Sequence, residues 1–142
     1  LRLSYTVIGD AVNLGSRLEG LCKTYGVPIV ASEFTQAQSS GFLWQELDRV
    51  RVKGKAQAVT IFTPLVEEQH ATVQQQAELA KWVQFLTHYR SQNWEQCGSQ
   101  LKALLQLQPQ SVLYALYESR VGHLSSLPLQ ADWDGTTAFE TK

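Results

Sequence analysis

The sequence has few of the residues that build metal sites and disulfide frameworks, and it has no long apolar run. Its 142 residues include two cysteines, three histidines and no methionine. Cys22 and Cys97 lie far apart and lack the short spacing of a metal motif, so we interpret both as reduced thiols in a cytosolic setting. No apolar run approaches the ~18 residues of a membrane helix, and no signal peptide is visible. These absences predict a soluble, cytoplasmic chain.

Charge is also scarce. Charged residues make up 18% of the chain and the net charge is -1, which provides no field for gathering nucleic acid or anionic lipid. Any phosphate binding must therefore be local. The hydrophobic fraction of 44% is enough for a core, in one ordinary domain or one small domain with an appendage. Because the chain starts at Leu1, inside what reads as a strand, we expect it to be a fragment.

The stretch from Tyr5 to Leu21 reads as a short strand, a glycine turn and a helix. Gly9 permits the turn, and Asp10 is a good N-cap. Helical periodicity places one set of apolar residues on a common stripe, namely Ala11, Leu14, Leu18, Leu21, Cys22 and Tyr25. Asn13 and Arg17 share a neighbouring stripe one turn apart, close enough to hold one ligand. From the residue pattern alone, a solvated helix flank is the better interpretation of this pair.

Short strands and helices alternate downstream. We expect the first helix to end at Tyr25 before Gly26, and Ser32 to cap a brief helix that ends about Gln38. The predicted strands are Ile29–Ala31, Phe42–Leu47, Val50–Val52 and Val59–Phe62. Residues 53–56 form the turn of a hairpin, and Pro64 stops its second strand. This order suits an α/β sandwich.

From Glu67 onward the sequence is glutamine-rich and helical, with no strand signal. Two apolar faces are predicted, one from Leu79, Trp82, Leu86 and Tyr89 and one from Trp94, Cys97, Leu101, Leu104 and Leu105. A break near Asn93 separates them, Pro109 ends the pair, and Val112–Arg120 forms a third helix. The pair resembles a single tetratricopeptide-like hairpin. Since such repeats need about three copies to stand alone, we expect it to pack against the first domain or its partner.

Two motifs, in order and in register, resemble one known family. The run Tyr5–Glu19 closely resembles the strand-turn-helix signature of the class III adenylyl/guanylyl cyclase catalytic domain, and Glu46–Lys55 resembles its next landmark at the expected separation. The resemblance covers Leu1 to about Leu65. It implies that residues 1–66 are the C-terminal half of a ferredoxin-like cyclase α/β sandwich, followed by a helical C-terminal extension over residues 67–142.

The resemblance also implies roles for four residues. Arg17 takes the position of the transition-state arginine, and Asn13 that of the amide that orients the ribose. Lys53 corresponds to the lysine for the terminal phosphates, with Lys55 as a competing candidate. Thr6 stands where the family reads the purine, and a threonine there resembles the bacterial adenylyl type. The implied reaction converts ATP to 3′,5′-cyclic AMP and pyrophosphate in intracellular signalling, with guanylyl specificity as an alternative.

The metal ligands are expected elsewhere. The family's two metal-binding aspartates precede the start of this chain, and no acid here replaces them, since Asp10 is a cap and Asp48 is part of the hairpin. The resemblance therefore implies two Mg²⁺ or Mn²⁺ ions held by upstream residues, and a segment that is inactive alone. It also implies a head-to-tail homodimer with the active site at the interface. Membrane association would come only from an upstream anchor.

Two other interpretations compete with this one. The stretch Gly9–Ser16 lacks the lysine and the spacing of a P-loop, so that motif is set aside. The second interpretation is a non-catalytic module. It would be either a degenerate cyclase half or a helical interaction domain over Glu67–Leu127. The joint presence of Asn13, Arg17 and Lys53 speaks against decay, because a decayed site has no need of all three.

Overall fold

The computed structural model describes residues 20–52 and 57–139, which form a mixed α/β structure with a four-stranded sheet. The strands are β1 (Ala31–Ser32), β2 (Phe42–Val52), β3 (Val59–Glu67) and β4 (Thr137–Phe139). The helices are α1 (described over residues 20–25), α2 (Glu33–Gln38), α3 (Val73–Arg90), α4 (Trp94–Leu107) and α5 (Val112–Leu124), with a 3₁₀ turn at Glu68–His70. The described residues divide into a sheet unit (residues 20–52, 57–71 and 136–139) and a helical unit (Thr72–Gly135).

The first described element is the end of α1, which the sequence predicts correctly. Gly26 has a φ of 72°, the left-handed conformation that a glycine adopts without steric cost just beyond a helix. The Val27 amide donates to the Cys22 carbonyl at 3.0 Å, which is the long bond of a Schellman motif. Leu21 and Tyr25 are buried, as their stripe predicts, while Cys22 is half-buried. The predicted helix start at Asp10 lies outside the described residues.

The segment after α1 also follows local sequence signals. The Ser32 hydroxyl accepts the Thr35 amide at 3.3 Å and caps α2, which ends at Gln38 as predicted. Strand β1 is shorter and slightly later than the predicted Ile29–Ala31. It pairs antiparallel with β3 through Ala31 opposite Phe62 and Ser32 opposite Ile61.

Strands β2 and β3 form an antiparallel hairpin pair that differs from the prediction in two ways. The two predicted segments, Phe42–Leu47 and Val50–Val52, are one continuous strand, with register shifts between Leu43 and Trp44 and between Glu46 and Asp48. The prediction that Pro64 stops the second strand is wrong, because β3 continues to Glu67. Pro64 lies opposite Trp44, directly beside a register shift, where the ladder is irregular and a missing N–H is tolerated.

Strand β4 was not predicted. The sequence shows no strand signal after Glu67, yet Thr137, Ala138 and Phe139 pair in parallel with Val50, Arg51 and Val52 of β2. Three residues are too few to show a period of two, so only the edge of β2 identifies this segment as a strand. In chain order the helical unit therefore lies between two strands of the same sheet.

The helical unit has its helices where the sequence predicts them. Thr72 and Gln75 form a reciprocal capping box at the start of α3, with bonds of 3.0 and 2.9 Å. The predicted break before α4 is marked by Gln92, whose φ is 61°. Helix α4 ends two residues before Pro109, and the predicted third helix, α5, extends to Leu124. The similarity to a tetratricopeptide hairpin stays a prediction.

The core of the helical unit is apolar and largely aromatic. Its buried side chains are Trp82, Phe85, Leu86 and Tyr89 of α3, Cys97, Leu101 and Leu104 of α4, and Leu113, Tyr114 and Tyr117 of α5. Burial raises the pKa of the Cys97 thiol to about 12, so this thiol stays protonated at neutral pH. Within the described part of the chain, no helix combines the length and the apolar character needed to span a membrane.

Candidate functional site

The residues that the sequence predicts for the site lie outside the described part of the chain. Thr6, Asn13 and Arg17 belong to residues 1–19, and Lys53 and Lys55 belong to residues 53–56. Their mutual geometry therefore stays a prediction. The structure does describe the elements that flank them, since α1 covers the end of the predicted helix and β2 and β3 enclose the predicted turn.

Between these flanking elements lies a buried carboxylate. The Asp48 side chain is only 1% exposed. Its Oδ2 atom accepts the Tyr25 hydroxyl at 2.5 Å and the Thr137 hydroxyl at 2.8 Å, while its Oδ1 atom accepts the Arg49 amide at 2.7 Å. Burying a carboxylate is costly unless hydrogen bonds replace its water, and these three donors do so. Asp48 thus joins α1, β2 and β4 at one point.

The local geometry of β2 explains how an aspartate reaches this position. Neighbouring residues of a regular strand face opposite sides of the sheet, and the register shift between Glu46 and Asp48 interrupts that alternation. Both Leu47 and Asp48 are buried as a result. Bulges of this kind commonly redirect one side chain, and here that side chain is the carboxylate that meets Tyr25.

Sequence reasoning missed this carboxylate. It treated Asp48 as an ordinary hairpin residue and did not consider the Tyr25 hydroxyl. One signal was available, because Leu47 and Val50 are three positions apart and so break the period of two expected for a half-buried strand. The third partner, Thr137, is 89 residues away from Asp48 and gives no local signal.

The described residues offer no metal centre. Among residues 20–52 and 57–139, no group of three or more histidine, cysteine, aspartate or glutamate side chains is placed to hold a metal ion. Asp48 engages both carboxylate oxygens in hydrogen bonds to the protein. Its chemistry is therefore that of an internal anchor that fixes the elements around it.

Comparison with known proteins gives partial matches to adenylate cyclases. The chain is 30% identical over 135 residues to the adenylate cyclase, terminal-differentiation specific, of Dictyostelium discoideum, covering 91% of this chain and 6% of that protein. It is 45% identical over 65 residues to the adenylate cyclase of Anabaena cylindrica, covering 43% of this chain and 13% of that protein. It is 40% identical over 62 residues to adenylate cyclase 1 of Rhizobium meliloti (strain 1021), covering 43% of this chain and 9% of that protein.

These matches relate the chain to adenylate cyclases. The matched part of this chain spans between 6% and 13% of the length of those three proteins. Because the Dictyostelium match covers 91% of the chain, it includes most of the helical unit as well. No protein-family model matches the chain, and no solved structure matches it.

Proposed function

We propose that residues 1–66 of this chain are the C-terminal half of a class III adenylate cyclase catalytic domain, followed by a helical extension over residues 67–142, and that this half supplies the nucleotide-orienting side chains of the active site. The observation that carries the proposal is its partial identity to three proteins named adenylate cyclases. The motif that contains Asn13 and Arg17 and the one that contains Lys53 also support it, because each resembles a landmark of that domain.

The proposed reaction is an intramolecular phosphoryl transfer. The ribose 3′-oxygen of ATP forms a bond to the α-phosphorus, the bond from that phosphorus to the leaving pyrophosphate breaks, and the hydroxyl proton is released. Such transfers are catalysed mainly by position and by charge placed around the phosphate oxygens. Arg17 would hydrogen-bond the α-phosphate as charge builds there, Asn13 would orient the ribose, and Lys53 would hold the terminal phosphates.

Metal ions and a second subunit complete the proposed site. The described residues do not provide a metal centre, so no step is assigned to a metal held by this part of the chain. Two Mg²⁺ or Mn²⁺ ions, held by residues upstream of Leu1, would neutralise phosphate charge when bound. In a head-to-tail homodimer, one subunit would supply these ions and its partner Asn13, Arg17 and Thr6.

The test is cyclic AMP production by the full-length protein from ATP with Mg²⁺ or Mn²⁺. We expect Arg17→Ala to lower kcat by on the order of 10²-fold or more while the protein still dimerises, because the arginine acts on charge that develops in the transition state. Lys23→Ala is the matched control, since Lys23 is an exposed basic residue of the same predicted helix, and it should keep wild-type turnover. Near-normal turnover of Arg17→Ala would remove the assignment.

Substrate choice is tested at Thr6. A threonine hydroxyl can meet the adenine edge, so Thr6→Cys should weaken the preference for ATP over GTP, measured as the ratio of the two kcat/KM values. An unchanged ratio would count against a role in purine reading. A full-length protein that makes neither cyclic nucleotide would instead favour the non-catalytic alternative.

A further inference from the structure

The hydrogen bond between Tyr25 and Asp48 connects the two chain segments that lead to the proposed nucleotide site. Tyr25 is the last residue of α1 and is fully buried. Asp48 lies in β2, five positions before Lys53. The donor and acceptor atoms are 2.5 Å apart, so the end of the helix and the strand cannot slide past each other without breaking this bond.

The helix side of this connection lies close to the predicted catalytic residues along the chain. Arg17 precedes Tyr25 by eight positions, which corresponds to ~12 Å along an α-helix. An α-helix is stiff over that length, so a shift or rotation at Tyr25 moves the predicted Arg17 position by a similar amount. Misplacement of a catalytic group by ~1 Å can cost up to ~10²-fold in rate.

The strand side is fixed independently of α1. The Arg49 amide donates to Oδ1 of Asp48, and the Thr137 hydroxyl donates to the same Oδ2 atom that accepts Tyr25. Thr137 lies in β4, which pairs with β2. The Asp48 carboxylate is therefore held within the sheet by β2 and β4, and the Tyr25 hydroxyl connects it to the helix.

We propose that Asp48 is a positioning residue for the nucleotide site and that it acts through the Tyr25 hydroxyl. Through this bond it would set the position of the predicted helix that contains Asn13 and Arg17 relative to β2, which precedes Lys53 in the chain. This proposal rests on the proposed function. It predicts that turnover depends on the hydrogen bond between Tyr25 and Asp48, which contacts neither substrate nor metal.

Two variants that remove different donors to the same oxygen provide the test, in the full-length protein. Tyr25→Phe removes the helix donor and keeps the ring, whereas Thr137→Val removes the β4 donor and keeps the side-chain shape. We expect Tyr25→Phe to lower kcat by about tenfold with KM for ATP within about twofold of wild type. Thr137→Val should stay within about twofold in both constants, although each variant lowers the melting temperature.

A double-mutant cycle separates positioning from a loss of folded protein. If Tyr25 acts by positioning Asn13 and Arg17, adding Tyr25→Phe to Arg17→Ala should lower kcat by clearly less than the tenfold expected in the wild-type background. A purely structural role would instead reduce kcat by the same factor in both backgrounds, and that result would overturn the proposal. Equal turnover of Tyr25→Phe and Thr137→Val would overturn it as well. Absence of cyclic AMP from the wild-type protein would overturn the proposed function itself, and the positioning role with it.

Discussion

The sheet unit and the helical unit bury different kinds of side chain. Among the described residues of the sheet unit, the buried set includes four polar or charged members, Ser32, Gln45, Asp48 and Thr63. In the helical unit, which is described throughout, the buried residues are leucines, aromatic residues, Cys97 and Gly135. The sheet interior thus contains a buried carboxylate with directional hydrogen bonds, whereas the buried side chains of the helical unit are aliphatic groups, aromatic groups and one thiol.

The two kinds of interior constrain their side chains in different ways. The hydrophobic effect is non-directional, so burial of rings and aliphatic side chains stabilises a fold without orienting a particular polar group. Hydrogen bonds to a buried carboxylate depend on direction and distance, and a lost partner is costly. The described sheet unit therefore fixes the direction of particular polar groups, of which Asp48 is the example, and the interior of the helical unit contributes mainly to stability.

The greatest loss of stability is expected from a substitution at Trp82. Its side chain is fully buried, and its ring centroid lies 5.1 Å from those of Phe85 and Tyr117 and 5.3 Å from that of Tyr114. Trp82→Ala should lower the free energy of opening of the helical unit by about 3–5 kcal/mol, because it removes ring contacts and leaves a cavity. Hydrogen exchange of the α3 to α5 amides in the full-length protein measures this change.

The neighbouring Val83 is the control for Trp82. It is 53% exposed on the same helix, so Val83→Ala should change the same free energy by no more than about 0.5 kcal/mol. A similar cost at both positions would mean that the aromatic cluster does not dominate the stability of the helical unit.

A smaller effect is expected from two tyrosine–carboxylate pairs, one in each unit. Tyr25 donates to Asp48 at 2.5 Å where both side chains are buried, and Tyr114 donates to the half-buried Glu78 at the same distance. Tyr25→Phe should cost about 1.5–3 kcal/mol, since the buried carboxylate loses a donor that water cannot readily replace. Tyr114→Phe should cost about 0.5–1 kcal/mol, because solvent reaches Glu78.

Hydrogen exchange in the full-length protein measures both costs, from the amides of α1 for the first pair and of α5 for the second. Equal costs would show that a tyrosine–carboxylate hydrogen bond contributes the same stability in both interiors. A larger cost for Tyr114→Phe would reverse the expected order.

The parts of the fold that the sequence predicts are those with local causes. Gly26 ends α1 and Ser32 begins α2 through contacts within a few residues, so composition and spacing reveal them. The same holds for the helices of the helical unit. Pro64 shows the limit of a local rule, because the irregular ladder opposite Trp44 lets the strand continue past it.

The parts that the sequence does not predict have distant causes. β4 exists because β2 offers it an edge, and Asp48 is buried because donors from Tyr25 and Thr137 reach it. The same distinction between local and distant causes applies to the candidate site. Its residues are named from two local motifs, whereas the bond proposed to position them joins residues 23 positions apart and can be recognised only in three dimensions.

The smallest expected effect concerns the two thiols, one in each unit. Cys97 is buried with a pKa raised to about 12, and Cys22 is half-buried at the end of α1. Because the thiolate is the reactive form, iodoacetamide at pH 8 should modify Cys22 before Cys97 in the folded full-length protein, and both at similar rates in urea. Mass spectrometry of the two peptides gives the rates. Faster labelling of Cys97 than of Cys22 in the folded protein would contradict a closed apolar core in the helical unit.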